Sequence, residues 1–218
     1  MRLALLCFLL GTRIVCGAEL IDRVAVSVGT TVITESELLE HLRIRAMLEG
    51  IPLQLDGDSK RDAADRLIQQ ALIRREIETT RYTLPEAAMA QPLVASFKVS
   101  RFHDNAGEYQ AALKAAQVTE AEVQASFLWQ LTVLRFIEFR FRPGIQIAAE
   151  DIRDYYEKKF LPDWRSRTKD PPPSAEDAAS AVEEILLQER IDNQLDRWIS
   201  LTRTQVSIRY REEVFANQ

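Results

Sequence analysis

The chain has 218 residues, a length that predicts one domain or two small ones with a sizeable apolar core. Hydrophobic residues make up 46% of the chain, and only 7 glycines and 8 prolines are present, which favours helices over a turn-rich β protein. The formal net charge is −5 and the basic residues are interspersed with acids, which argues against a nucleic-acid-binding surface.

The first 18 residues have the pattern of a secretory signal peptide. Arg2 gives a positive start, residues 3–10 form an apolar run too short to span a bilayer, and small residues lead to Ala18. We therefore expect cleavage after Ala18, which would remove both cysteines and take the net charge from −5 to −7. The alternatives are a buried N-terminal helix and a lipoprotein cut before Cys16. No later apolar run approaches membrane-spanning length, so no stable membrane insertion is expected.

A β-hairpin is expected to open the mature chain. Valines alternate with other residues over 23–28, which predicts a strand with Ala25 on the face opposite the valines. A Gly-Thr-Thr turn follows, and the next two apolar residues can pair back. Thr34 and Glu37 form a capping box that begins a helix ending near Gly50.

Apolar residues at helical spacing predict most of the remaining elements. After a loop over 50–58, Ser59 caps a second helix that runs to about Arg81. Helices are then predicted over 86–101 (kinked or broken at Pro92), 109–116, 120–142 and 149–160. A proline-rich linker is predicted over 161–174, followed by a helix over 175–203 and a strand over 204–211.

The two ends of the chain are expected to pack together. An isolated strand leaves backbone groups unpaired, so we expect the strand near Val26 to pair with the strand near Ile208. The last helix should bury a stripe against helices of the first half, formed by Leu187, Ile191, Leu195 and Trp198. The helix over 120–142 is apolar on nearly every side, which is typical of a central core element. The predicted fold class is therefore mainly α, with a small β element formed by the N- and C-terminal strands.

No arrangement of catalytic residues is evident in the sequence. Glu37 and His41 have the spacing of two metal ligands on a helix, but no third ligand lies nearby in the sequence. His103-Asp104 is more typical of a turn. Neither a nucleophile elbow nor a glycine-rich phosphate loop is present. The sequence therefore predicts no enzyme, no metal and no cofactor.

Aromatic residues on the predicted helices are the candidates for peptide binding. They could line a groove for apolar peptides, because adaptable apolar surfaces suit promiscuous binding. The alternative is ordinary core packing, which aromatic residues dominate. The candidates are Phe97, Phe102, Tyr109, Phe127, Trp129 and Phe139.

Four stretches of the chain resemble the SurA-type periplasmic chaperones. Residues 21–38, with an Asp-Arg strand, a small turn and an Ile-Thr step, look like the opening of the mature proteins of this family. Residues 66–73 are similar to the second helix of the family, and residues 136–156 to the segment before its parvulin isomerase domain. Residues 195–208 resemble the segment that follows that domain.

The resemblance implies a chaperone module without the isomerase. Only 14 residues, 161–174, lie where the relatives carry one or more parvulin domains, and a folded domain needs at least roughly 50. Residues 19–218 would then form one SurA-like domain. The resemblance implies an ATP-independent periplasmic holdase for unfolded clients, outer-membrane proteins among them. The alternative is a non-catalytic assembly or scaffold subunit that binds one specific partner.

Overall fold

The computed structural model describes residues 22–216, and the expected signal peptide lies outside these described residues. The described part is mainly helical with a three-stranded antiparallel sheet, which confirms the predicted fold class. The strands are β1 (Val24–Val28), β2 (Thr31–Thr34) and β3 (Ile208–Tyr210). The helices are α1 (Glu35–Glu49), α2 (Gly57–Thr80), α3 (Gln91–Phe102), α4 (Ala106–Ala116), α5 (Glu120–Phe141), α6 (Ala149–Tyr155), α7 (Leu161–Arg167), α8 (Ala175–Gln205) and α9 (Glu212–Phe215).

The sheet joins the two ends of the described chain. Its strand order is β2-β1-β3, and β1 runs antiparallel to both neighbours. Val26 lies opposite Tyr210, so the predicted pairing of the end strands is confirmed. The last strand is shorter than the predicted 204–211, because α8 continues to Gln205 before the chain becomes extended.

Strand β1 contains an irregularity that changes which side chains face the core. Its register with β2 shifts between Val24 and Val26, and both Ala25 and Val26 are fully buried. A bulge bends a strand and lets two consecutive side chains face inward. The predicted strict alternation, with Ala25 on the face opposite the valines, is therefore wrong at this position.

Side-chain caps begin the longer helices. The capping box predicted at Thr34 is confirmed, because Thr34 N–H donates to the Glu37 carboxylate at 2.7 Å while Thr34 Oγ1 accepts from Glu37 N–H at 3.3 Å. Thr119 caps α5 in the same way. The cap predicted for α2 is wrong: Asp56, not Ser59, begins the helix, and the Asp56 carboxylate accepts from Ser59 N–H at 2.9 Å. Asp56 is the stronger cap because it also accepts from the Ser59 hydroxyl.

The predicted linker over 161–174 is only half correct, because its first half is helical. Helix α6 continues through a single wide turn over 156–160 into α7. Pro162 explains the wide turn: a proline inside an α-helix clashes with the carbonyl four residues earlier, and widening the preceding turn moves that carbonyl away. Only residues 168–174 are left to connect α7 to α8.

Three apolar clusters hold the described chain together. The first joins the sheet to α2 and α9 and buries Leu38, Ile68, Leu72, Val214 and Phe215. The second joins α1, α4 and the start of α5 around Met47, Tyr109, Leu113 and Val123. The third, formed by Ile73, Ile77 and Phe136, joins α2 to the second half of α5. Trp198 of α8 packs against the first and third clusters, so the last helix does contact the first half of the chain, as predicted.

Candidate functional site

A groove lies between residues 66–74 of α2 and residues 122–137 of α5. It consists of two adjoining cavities of about 580 Å³ and about 420 Å³. Both cavities are lined by His41, Arg66, Gln70, Trp129 and Gln130, so they form one continuous depression. Helix α1 borders one end of it and α8 borders the other. We call this depression the α2–α5 groove.

The α8 end of the groove has an apolar floor. Its apolar lining residues are Ile73, Trp129, Val133, Leu134, Ile137, Leu195 and Ile199. Leu134 keeps 58% of its surface exposed, although it lies among these residues. An apolar surface that remains open within a concave site is typical of a binding site for a peptide or another ligand.

The α1 end of the groove combines apolar side chains with charges. Phe97 and Phe127 line it together with Glu37, Glu40 and Glu122. Burial raises the pKa of the Glu40 carboxyl, and the charges of Glu122 and Glu37 raise it further. Three carboxylates therefore lie close enough at this end to repel one another, while Arg45, Arg66 and Arg74 line the same cavity, so this end carries charges of both signs.

Two guanidinium groups lie on the α2 side of the groove. Within residues 22–216, neither Arg66 nor Arg74 has a carboxylate at ion-pair distance. The Arg74 guanidinium lies 4.3 Å from the centre of the Trp129 ring, a cation–π geometry that holds the indole at the edge of the groove. The two arginines therefore remain available to carbonyl or carboxylate oxygens of a bound peptide.

His41 lies where the two cavities meet. Its Nε2 atom is buried and has no hydrogen-bond partner within the described residues. Burial lowers the pKa of the His41 imidazole from its ordinary value, and the positive charges of Arg66 and Arg45 lower it further, while Glu49 acts in the opposite direction. His41 is therefore neutral near pH 7, and the sequence spacing that suggested a metal ligand instead places it beside two cations.

This depressed pKa predicts a pH-dependent stability. The unfolded chain binds a proton at His41 near pH 6.5 and the folded chain only at lower pH, so the free energy of unfolding should fall as pH falls below about 6.5. His41→Gln should remove that part of the dependence. Urea unfolding of both proteins at about pH 5 and about pH 8 measures the difference. An identical pH dependence for the two proteins would contradict the assignment.

The structure divides the six predicted peptide-contacting aromatics. Phe97, Phe102, Tyr109 and Phe127 form one contiguous ring cluster, with successive centroids 5.5–5.6 Å apart. Tyr109 is 2% exposed and packs in the core, and Phe102 lies in the same cluster outside the groove, so neither is available to a peptide there. Phe97 and Phe127 line the α1 end of the groove.

The other two aromatics belong to α5, and only one of them lines the groove. Trp129 faces both cavities and is the aromatic residue most central to the groove. Phe139 is 58% exposed, but it lies outside both cavities and packs beside Tyr82 at 5.1 Å between ring centres. Phe97, Phe127 and Trp129 are therefore the predicted residues that the structure brings together in the groove.

Sequence reasoning missed the aliphatic part of the site. Leu134 and Ile137 of α5, and Leu195 and Ile199 of α8, were indistinguishable from core positions because they repeat at helical spacing. One signal in the sequence could have indicated this surface. Apolar residues surround nearly the whole of α5, which is more than a helix needs in order to pack one face against a core.

In the described part of the chain, no group of three or more His, Cys, Asp or Glu side chains is arranged to hold a metal ion. Over the same residues, no helix is both long and apolar enough to cross a membrane. No protein-family model matches the sequence, and no curated protein matches it significantly.

Proposed function

We propose that the chain is an ATP-independent holdase that binds apolar segments of unfolded client proteins in the α2–α5 groove. The observation that carries the proposal is the open apolar floor at the α8 end, where Leu134 remains 58% exposed among Ile137, Leu195 and Ile199. A folded protein gains stability by burying such a surface, so leaving it open in a concave site favours a ligand that covers it.

The dimensions and lining of the groove suit short peptide segments. Each cavity falls within the roughly 300–1,000 Å³ that is usual for ligand pockets, enough for several side chains at a time. Aliphatic side chains form most of the floor at the α8 end and Trp129 extends it towards α1, so recognition would rest on apolar area rather than on a particular sequence. Arg66 and Gln70 could hold the peptide backbone by its carbonyl groups.

The proposal includes export to the periplasm and kinship with the SurA-type chaperones. It rests on the signal-peptide pattern of the first 18 residues and on the resemblance over 21–38. The proposal assigns no catalytic role to any residue. Mass spectrometry of the native protein should show Glu19 as its first residue, and an intact Met1 would contradict export by cleavage.

A charge in the apolar floor should weaken client binding. Leu134→Asp removes a contact of the kind that contributes about 1.5–3 kcal/mol when buried, so client affinity should fall about tenfold or more. The measurement is the light scattering of a chemically denatured client diluted into buffer without ATP, with and without the chaperone. Wild-type protein should suppress aggregation, and Leu134→Asp should suppress it far less.

Leu201→Asp is the matched control. Leu201 is 63% exposed on α8 and lines neither cavity, so the same substitution should leave holdase activity unchanged. Equal loss in both variants would contradict a groove-specific role. Several unrelated clients should be tested, because binding of a single protein would favour the assembly-subunit alternative instead.

A further inference from the structure

Residues 149–167 form one continuous helical stretch, made of α6, the wide turn and α7, which we call the helical arm. Three aromatic rings form a ladder on this arm. Tyr156, Phe160 and Trp164 are spaced four residues apart, so they lie on one face of the arm. Neighbouring rings stack nearly parallel, at 5.6 Å and 19° for the first pair and 5.9 Å and 26° for the second. The arm lines neither cavity of the α2–α5 groove, so this ladder is a separate feature.

The chain's own proline-rich segment lies against this ladder. The Tyr156 hydroxyl donates to the Pro173 carbonyl at 2.6 Å, and the Trp164 indole N–H donates to the Asp170 carbonyl at 3.1 Å. Pro172 and Pro173 are half-buried, although they belong to an exposed connection. The two ends of the ladder therefore each hold one backbone carbonyl of residues 170–173.

The three consecutive prolines of this segment favour a polyproline II helix. Three consecutive prolines fix φ near the polyproline II value, and Ser174 continues it with φ −63° and ψ 160°. A polyproline II helix has three residues per turn, so the carbonyls of Asp170 and Pro173 point in similar directions. One turn advances about 9 Å, less than the about 12 Å that eight helical residues from Tyr156 to Trp164 span, and the two long side chains nevertheless reach both carbonyls.

We propose that Tyr156, Phe160 and Trp164 form a binding site for proline-rich peptides in the polyproline II conformation, which residues 170–173 occupy within the chain. Stacked aromatic rings with a hydroxyl and an indole N–H are the groups by which such helices are recognised, since their carbonyls remain free to accept. The ligand that would bind this site from another chain is an extended proline-rich segment of a partner protein. The site would recruit that partner independently of client binding in the groove.

The internal segment should act as a competitor for the site. It is attached to the arm by a short connection, so its effective concentration is of millimolar order or higher. A proline-rich peptide should therefore bind weakly to the wild-type chain and more tightly once the internal prolines are replaced. Bending of the chain at Thr168, whose hydroxyl accepts from Asp170 N–H at 3.1 Å, keeps the segment in place.

The test uses the triple variant Pro171→Gly, Pro172→Gly, Pro173→Gly of the full chain and a synthetic decaproline peptide. The Trp164 indole N–H resonance is followed by NMR, after assignment with Trp164→Phe. Decaproline should shift it saturably in the triple variant, with at least tenfold weaker binding to the wild-type chain. A glycine-serine peptide of the same length is the control probe and should cause no shift.

Three outcomes would overturn the proposal. The first is a folded triple variant whose Trp164 resonance does not shift saturably with decaproline. The second is an equal shift with the glycine-serine peptide. The third is an unchanged decaproline affinity when Tyr156→Phe is added to the triple variant. If the triple variant does not fold, the Pro173→Ala variant and the wild-type chain are titrated to higher concentrations of decaproline. A lack of saturation in both proteins also overturns the proposal. A dimer formed by exchange of residues 170–173 between copies would assign the site to self-association and contradict the partner role.

Discussion

A chain that ends at Gln205 is expected to lose its cooperative thermal unfolding transition. The truncation removes β3, which pairs with the central strand of the sheet, and removes Val214 and Phe215 from the first apolar cluster. Loss of a buried Phe alone costs about 3–5 kcal/mol, and a whole protein of this size is stable by only about 5–15 kcal/mol. Circular dichroism during heating measures the transition.

Polar contacts add to the effect of this truncation. The Tyr210 hydroxyl donates to the Asp65 carboxylate at 2.8 Å, and Arg203 of α8 pairs with the same carboxylate. The hydrogen bond and the ion pair lower the pKa of Asp65 against the opposing effect of its burial. A chain ending at Ala216 is the control and should melt like the full chain. If the chain ending at Gln205 melted within a few degrees of that control, the conclusion that β3 and α9 are needed for a stable fold would be wrong.

Phe136→Ala is expected to cost about 3–5 kcal/mol of folding free energy, as truncation of a buried aromatic does. Phe136 is 1% exposed, contacts the buried isoleucines of the third cluster and meets the Tyr82 ring edge-on at 5.4 Å. For a domain of this length the melting temperature should fall by about 6–20 °C. Urea unfolding followed by tryptophan fluorescence gives the free energy.

Phe139→Ala on the same helix provides the control for that measurement. Phe139 is mostly exposed and contacts Tyr82 from the solvent side, so its loss should cost no more than about 1 kcal/mol. Similar costs for the two variants would contradict the placement of the third cluster. The folding free energy lost by Trp198→Ala should lie between the losses for these two variants, because Trp198 packs against two clusters but remains partly exposed.

Local signals in the sequence predicted the starts of α1 and α5 correctly but not the cap of α2, where Asp56 and Ser59 are both good capping residues. Capping boxes at Thr34 and Thr119 marked the starts of α1 and α5, because Thr followed by Glu three residues later has few other uses. The pairing of β1 with β3 was expected from the family resemblance together with the cost of leaving β3 unpaired, because β1 already has β2 as a partner in the predicted hairpin. The β1 bulge at Ala25 could not, since it depends on the packing of α1 and α2 beneath the sheet.

Two features lay beyond local signals. Pro162 and the triple proline predicted a linker, but the wide turn over 156–160 accommodates Pro162, so the helix continues through α7, further than expected. The α2–α5 groove could not be predicted either, because a helix that is apolar all round is equally consistent with a core and with one face left open. Only the separation of α2 from α5 decides between them, and that depends on how α1 and α8 hold the two helices apart.

Site-specific photocrosslinking shows whether an unfolded client binds in the α2–α5 groove. A photoreactive phenylalanine analogue is placed at Leu134 in one protein and at Leu201 in another, and each is irradiated with an unfolded client. Because both positions are exposed on helices, equal reactivity would indicate nonspecific contact. The account predicts crosslinks at position 134 that a competing apolar peptide removes, and few at position 201. Client crosslinks at position 201 without any at position 134 would contradict client binding in the α2–α5 groove.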